Sequence, residues 1–309
     1  MTKILITGGA GYVGTSLIPL LLERGYHVKI FDNLLFGGDQ LLPFFRNKNF
    51  EFTKGDVRDD TELAQAMKDC DIIIHLAAIV GFPACRAQPE LARTVNVEGT
   101  KNLANLASRN QLILFASTGS SYGAVIDICT EETPLNPLSL YGQTKSLGEQ
   151  ALLAQGLPII YRFATAFGVS PRLRLDLMIN DFVHKALTQQ YLVVYEKNFM
   201  RTFIHVHDIC RSFLFGIEHA DPMRGQIYNV GSEHMNFSKE DIASLISTMV
   251  KCYVHFADVG EDADKRNYEV SYKKIRMLGY DTTISIEEGI RELVAALQVI
   301  NSKTPYANL

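Results

Sequence analysis

The stretch KILITGGAGYVG, from Lys3 to Gly14, decides the fold. Its first five residues, Lys3–Thr7, are mostly apolar and predict a short buried strand. Glycines follow at positions 8, 9, 11 and 14, and helical spacing begins at Tyr12. Glycines in such a turn let backbone N–H groups approach a pyrophosphate at the positive end of the helix. The stretch therefore predicts a strand–turn–helix unit that binds a dinucleotide.

The same alternation of strand and helix continues through the first half of the chain. Apolar runs predict further strands at residues 27–32, 50–56, 71–78, 111–117 and 158–164, and helical spacing predicts helices at 12–25, 89–110 and 140–156. Continuous apolar strands separated by helices indicate a parallel sheet covered on both faces. We expect an α/β fold, a Rossmann-type doubly wound parallel sheet.

The regular alternation of strands and helices ends after about Phe167, where turn signals and shorter segments follow. Late helices are predicted at 239–250 and 286–300. We expect residues 1–166 to form the cofactor-binding domain and residues 167–309 a smaller C-terminal substrate-binding domain. Part of residues 200–231 is expected to return to the first domain.

Composition limits the kind of partner. The 309 residues are 47 % hydrophobic and carry a formal charge of −4, which gives no reason to expect nucleic acid or an anionic membrane surface. No apolar stretch approaches the ~20 residues that span a bilayer. The N-terminal run reaches its glycine turn too soon for a signal peptide. The five cysteines form no C-x-x-C pair, which favours a reducing compartment. We expect a cytoplasmic protein.

Asp32 indicates which dinucleotide binds. It ends the second predicted strand, eighteen residues past Gly14. A carboxylate there accepts hydrogen bonds from the adenosine ribose and repels a 2′-phosphate. Asn33 and Leu34 supply no arginine to offset that repulsion. The sequence therefore predicts NAD as the cofactor. Asp56 and Val57, after the third strand, are candidates for the adenine pocket, although a solvated turn aspartate explains Asp56 as well.

Tyr141 and Lys145 are the candidate reacting groups. They lie four residues apart on a predicted helix and so share one face. A nearby ammonium favours the phenolate and lowers the tyrosine pKa, so Tyr141 could exchange a proton with a substrate hydroxyl while NAD takes the hydride. The hydroxyl-rich run ASTGSSYG, residues 116–123, follows the fifth predicted strand.

These motifs together resemble the extended short-chain dehydrogenases/reductases, and more narrowly the NAD-dependent sugar-nucleotide epimerase/dehydratase family. The resemblance covers nearly the whole chain. It includes HLAA (75–78), NVEGT (96–100), ASTGSSYG, YGQTK (141–145) and RTFIHVHD (201–208) in the family's order. It implies a nucleoside-diphosphate sugar substrate, a homodimer or higher homo-oligomer, and a catalytic set of Thr118, Tyr141 and Lys145. A turn cap is the alternative role for Thr118.

The motifs and the resemblance also give two sets of candidate binding residues. For NAD they are Gly8, Gly11, Tyr12, Val13, Gly14, Asp32, Asn33, Asp56, Val57, Leu76, Ala77, Ala78, Asn96, Tyr141 and Lys145. For the substrate they are Val80, Thr118, Ser120, Asn180, Arg201 and Arg266. A helix-capping role is the alternative for Asn180. No metal site is expected, since His205 and His207 alone are too few ligands.

One departure from the family bears on the reaction. Family members that eliminate water from the sugar carry Thr-Asp-Glu where this chain has Thr118-Gly119-Ser120. Glycine and serine supply neither a strong acid nor a strong base, so no 4,6-dehydratase activity is expected. The leading expectation is a 4-dehydrogenase acting on a nucleotide sugar. GDP-heptose is a candidate substrate, because residues 174–183 and 264–271 resemble a subgroup that includes enzymes of heptose nucleotides. The alternatives are a 4-epimerase with transient NADH and a non-catalytic dinucleotide-binding regulator.

Overall fold

The structure, a computed structural model, describes residues 1–125, 127–257, 269–300 and 308. Its strands are β1 Lys3–Thr7, β2 His27–Asp32, β3 Phe50–Lys54, β4 Ile72–His75, β5 Leu112–Thr118, β6 Ile159–Phe163, β7 Thr165–Phe167, β8 Tyr191–Tyr195, β9 Met200–His205, β10 Ile227–Val230, β11 Asn236–Ser238 and β12 Tyr253–Ala257.

The helices of the described residues alternate with the strands in the first half and cluster in the second. They are α1 Tyr12–Glu23, α2 Asp60–Met67, α3 Phe82–Ala87, α4 Pro89–Arg93, α5 Gly99–Leu106, α6 Leu140–Gln155, α7 Met178–Gln189, α8 Val206–Glu218, α9 Ala220–Met223, α10 Lys239–Met249, α11 Lys273–Arg276 and α12 Ile286–Leu297. A π-helical turn, Thr94–Glu98, joins α4 to α5.

Seven strands form the central sheet in the order β10-β6-β5-β4-β1-β2-β3, and all six pairings are parallel. Buried apolar residues fill its centre: β1 pairs Ile6 with Ile30 of β2 and with Ile74 of β4. The strand order reverses at β1, between β2 and β4, which is where doubly wound sheets open a crevice at their carboxyl ends. The expected Rossmann-type fold is confirmed.

The strands that border this crevice are shorter than the sequence suggested. The segment predicted at 50–56 leaves the sheet after Lys54, and the segment at 71–78 leaves it after His75. Their last residues instead form the wall of a cavity. The helix predicted at 89–110 ends at Leu106, because Ala107 has an extended backbone.

The second half of the chain builds a smaller part beside the sheet. A three-stranded sheet, β11-β9-β7, and the parallel pair β12-β8 pack with α7, α10 and α12 around a separate apolar core. The two parts are interleaved, since β10 extends the large sheet and α8 packs against α1. The Tyr12 hydroxyl donates to the Gly168 carbonyl (2.8 Å), which joins the first helix to the segment after β7.

Candidate active site

A cavity of about 360 Å³ lies at the carboxyl ends of the central strands. Most of the side chains predicted for cofactor and substrate line it. These are Gly8, Gly11, Tyr12, Val13, Gly14, Asp32, Asn33, Asp56, Val57, Leu76, Ala77, Ala78, Val80, Thr118, Ser120, Tyr141 and Lys145.

The glycine turn after β1 has no room for side chains. Gly8 has φ +70°, and a Cβ there would lie 2.5 Å from the Ala77 nitrogen. A Cβ on Gly14 would lie 2.4 Å from the Gly9 carbonyl oxygen. Because the turn is this tight, the amino end of α1 opens directly onto the cavity. The geometry of the turn is compatible with a pyrophosphate at the positive end of the helix.

Asp32 is fixed beside this turn. Its Oδ2 accepts from the Ala10 N–H (3.0 Å) and its Oδ1 accepts from the Leu34 N–H (2.8 Å). Burial raises the pKa of this carboxyl, while the two backbone N–H groups oppose the rise. Each carboxylate oxygen can accept a further hydrogen bond. The arrangement suits two neighbouring ribose hydroxyls.

Arg58 lines the same end of the cavity and was not anticipated from the sequence. Its guanidinium donates to both oxygens of Asp56, at 2.9 and 2.7 Å, and Asn33 donates to Asp56 as well (3.0 Å). The hydrogen bonds from Arg58 lower the pKa of Asp56 to about 2. Because this arginine is paired with a carboxylate, it offers little compensation to a 2′-phosphate.

Thr118 ends β5 and begins a tight 3₁₀ turn at Gly119–Ser121. Its Oγ1 accepts from the Ser120 N–H (3.1 Å) and its hydroxyl donates to the Ser120 Oγ (3.0 Å). Thr118 therefore caps the turn and faces the cavity at the same time. The capping role and the predicted contact with substrate are compatible.

Tyr141 and Lys145 lie in the first two turns of α6, whose start is capped by Ser139. Lys145 is 3 % exposed, and its Nζ lies 4.0 Å from the centroid of the Phe115 ring. Burial lowers the pKa of this ammonium to about 7, and Glu149 opposes the shift. Lys145 can therefore gain or lose a proton near neutral pH.

A buried hydrogen-bond chain supports the floor of the site. Thr100 donates to the Asn96 carbonyl (2.7 Å), so His75 Nε2 donates to the Thr100 oxygen (2.9 Å). His75 Nδ1 must then accept from the Thr7 hydroxyl (2.6 Å). Burial lowers the pKa of His75 to about 3, and the Lys145 charge adds to the shift. The neutral ring links β4 to β1 through Thr7 and to α5 through Thr100.

Three predicted site residues do not line the cavity. The Asn96 amide binds both backbone groups of Ile79, and Asn180 binds the backbone of Gly168 and Arg174. Arg201 is 7 % exposed and donates to the Met200 carbonyl (3.0 Å). Arg266 lies outside the described residues.

Two further arginines of the cavity wall, besides Arg58, were missed by the sequence analysis. Arg172 and Arg174 follow β7, and both are 7 % exposed. The Arg172 guanidinium lies over the ring of Phe36, and Arg174 pairs with Asp176. The spacing R-x-R in an irregular segment was the available signal, but nothing in the sequence shows that this segment contacts α1 and the loop after β2. Among the described residues, no group of three or more His, Cys, Asp or Glu is placed to hold a metal. Within the same described residues, no helix has the length and apolar character needed to cross a membrane.

Comparison with known proteins agrees with this geometry. The model of the NAD-dependent epimerase/dehydratase family matches residues 4–231. A putative UDP-glucose 4-epimerase of Methanocaldococcus jannaschii is 28 % identical over 94 % of this chain and 97 % of its own length. The uncharacterized UDP-glucose epimerase YtcB of Bacillus subtilis is 30 % identical over 96 % of this chain and 98 % of its own.

A solved structure shares the whole fold. It is the UDP-glucuronic acid 4-epimerase of Bacillus cereus, in complex with UDP-glucuronic acid and NAD. The two superpose with a TM-score of 0.87 at 24 % identity, over 96 % of this chain and 99 % of the other.

Proposed function

The chain belongs to the NAD-dependent epimerase/dehydratase family, and we propose that it is a 4-epimerase of a nucleoside-diphosphate sugar that works by transient oxidation at C4. The observation that carries the proposal is the shared cavity. Thr118, Tyr141 and Lys145 line the same space as the glycine turn and Asp32. A proton acceptor and a dinucleotide site therefore lie in one cavity, where both can act on the same substrate.

Each of the three side chains has a distinct task. NAD, when bound, takes up the hydride and gives it back. Tyr141 accepts the proton of the C4 hydroxyl, and Thr118 orients that hydroxyl. Lys145 in its ammonium form favours the phenolate of Tyr141. We infer that Arg172 supplies positive charge for the substrate diphosphate, because it lies on the cavity wall and arginine suits that group.

The carboxylates of the cavity argue against dehydration. Among the described lining residues the acidic side chains are Asp32 and Asp56, which follow β2 and β3. Gly119 and Ser120 stand beside Thr118 instead. General acid and base groups are worth about 10²–10⁴-fold in rate, so 4,6-dehydratase activity should be poor.

The choice between epimerase and dehydrogenase depends on whether the cofactor stays bound. Contact between Phe36 and Arg172 joins two segments of the cavity wall, which favours a retained cofactor and return of the hydride. Two relatives are named as UDP-glucose epimerases, which favours the same outcome. Release of a 4-keto sugar, including one from GDP-heptose, is the second candidate.

The test is incubation with NAD and a panel of UDP-, dTDP-, GDP- and CDP-sugars, with products identified by NMR. A new C4 epimer without accumulating NADH supports the proposal, whereas stoichiometric NADH with a 4-keto sugar supports the dehydrogenase. Tyr141→Phe should lose about 10²–10⁴-fold in rate, and Tyr191→Phe, an exposed tyrosine, is the matched control. Full turnover by Tyr141→Phe contradicts the assigned role. NAD binding with no redox change for any sugar would favour the regulator.

A further inference from the structure

A buried cluster of charge lies behind Lys145. Glu149 and Arg162 are 2 % and 4 % exposed, and Lys145 is 3 % exposed. Burying ions is costly unless each is paired and hydrogen-bonded. The cluster contains two cations, Lys145 and Arg162, and one anion, Glu149. Of these three groups, only the Glu149 carboxylate can offset the positive charge. None of the steps proposed above uses it.

Glu149 is held rigidly from two strands. Arg162 of β6 donates through Nε to both carboxylate oxygens (3.1 and 3.2 Å) and through Nη2 to Oε2 (2.7 Å). The Ser117 hydroxyl of β5 donates to Oε1. Arg162 is fixed in turn by the Tyr122 hydroxyl (3.1 Å) and the Glu131 carbonyl (3.2 Å). The carboxylate therefore has one position.

That position is one helical turn beyond Lys145. Residues four apart on a helix have Cβ atoms about 5–6 Å from each other, and the Glu149 charge acts on Lys145. The other groups that act on Lys145 carry no charge at neutral pH, because burial lowers the pKa of His75 to about 3 and raises that of Cys85 to about 11.

Apart from Arg162, which pairs with the Glu149 carboxylate itself, the described surroundings add no other buried ion. Phe115 of β5 presents its ring to the Lys145 ammonium, and Tyr141 precedes Lys145 by one turn of α6. The charged side chains on the helical segments packed against α6 are exposed, namely Arg86, Glu90, Arg93, Glu98 and Lys101. Among the described residues, Glu149 is thus the buried anion near Lys145.

We propose that Glu149 is a positioning residue, whose carboxylate, fixed by Arg162 and Ser117, keeps Lys145 in its ammonium form beside Tyr141. This role deepens the proposed function and rests on it for its effect on rate, but the protonation of Lys145 can be measured by itself. No bond is formed or broken at Glu149.

The sign of the effect follows from the two opposing influences. Burial lowers the pKa of Lys145 to about 7, and Glu149 limits that fall. Without the carboxylate the pKa falls further, and the ammonium is lost at a lower pH. An opposite charge within about 4–6 Å is worth about 1–3 pKa units. We expect Glu149→Gln to move both the Lys145 titration and the alkaline limb of kcat/KM by about one pH unit or more toward acid.

The experiment is an NMR titration of the NAD-bound protein carrying isotope-labelled lysine, with the Lys145 signal assigned by its absence in Lys145→Met. The wild-type midpoint should lie near 7. It should fall in Glu149→Gln, return toward wild type in Glu149→Asp, and stay unchanged in the exposed control Glu98→Gln. An unchanged midpoint in Glu149→Gln overturns the inference.

A second variant guards against loss of folding, since Glu149→Gln leaves Arg162 buried without its carboxylate. The double variant Glu149→Met/Arg162→Met removes both charges together, and its Lys145 midpoint should fall as well. A wild-type midpoint in the double variant overturns the inference. A shifted midpoint with no epimerase or dehydrogenase activity even in the wild type would overturn the proposed function and leave the role of Glu149 in the Lys145 equilibrium supported.

Discussion

The guanidinium carbon of Arg172 lies 4.7 Å from the centroid of the Phe36 ring. Phe36 belongs to the loop after β2 and Arg172 to the segment after β7, and both line the cofactor cavity. A cation over an aromatic ring is worth about 0.5–2 kcal/mol. The contact therefore joins two segments of the cavity wall through an interaction weak enough to break and re-form.

Removing that ring should speed release of the cofactor. We expect Phe36→Ala to raise the NAD dissociation rate about 2- to 30-fold, the equivalent of the cation–π energy above. Stopped-flow fluorescence of bound NADH measures this directly. Phe45→Ala, at an exposed phenylalanine outside the cavity, is the control. An unchanged dissociation rate in Phe36→Ala would remove the structural argument for a retained cofactor.

The choice of NAD over NADP should depend on Asp32. Asp32→Asn keeps the size of the side chain and removes the charge that meets the ribose. Hydrogen bonds to charged groups are worth about 1.5–3 kcal/mol, so NAD affinity should fall about tenfold or more. Discrimination against NADP should fall with it, because the repulsion of the 2′-phosphate is lost. Calorimetric titration with both cofactors gives the two values.

Asp39→Asn, at an exposed position in the same region, is the control and should bind as wild type does. If Asp32→Asn keeps its full preference for NAD, other residues discriminate against NADP, and the Asp56–Arg58 pair becomes the next candidate.

The buried His75 should make folding stability depend on pH below neutrality. Its pKa is about 3 in the folded protein and about 6.5 when unfolded. Between these values the unfolded chain binds more protons, so stability falls as pH falls. The loss is about 1.4 kcal/mol per pH unit once the pH is below about 6.

Guanidinium unfolding between pH 6.5 and 5 measures this effect as the difference between the wild type and His75→Asn, because the pKa shifts of Asp32, Asp56 and Lys145 are common to both proteins. His75→Asn should be less stable at pH 7.5 yet lose less on acidification. The exposed control His255→Asn should follow the wild type. Parallel pH curves for wild type and His75→Asn would refute the assignment.

The tightness of the glycine turn gives a further test. Gly14→Ala places a methyl group 2.4 Å from the Gly9 carbonyl oxygen, which is backbone and cannot rotate away. We expect a lower melting temperature and loss of NAD binding. Gly156→Ala is the matched control, since its added Cβ would meet nothing within 4 Å. Normal NAD affinity in Gly14→Ala would mean that the turn can rearrange.

The sequence by itself determined the fold and the cofactor, and it indicated the candidate reacting pair. Apolar runs such as Lys3–Thr7 and His27–Asp32 are local signals, because a strand buried on both faces must be apolar throughout. The glycine turn and the Tyr141–Lys145 spacing are equally local, since each depends on residues at most six apart.

Only the tertiary structure decided what surrounds those groups. Arg172 reaches Phe36, and Arg162 reaches Glu149, by contacts between segments that are 136 and 13 residues apart. No local pattern encodes these contacts, because they depend on how β6 packs beside α6 and how the segment after β7 packs beside the loop after β2. For the same reason Asn180, chosen by its place in a motif, was found bonded to the backbone of its own neighbourhood. The sequence shows which chemical groups are available, and the packing of the chain determines which of them share one cavity.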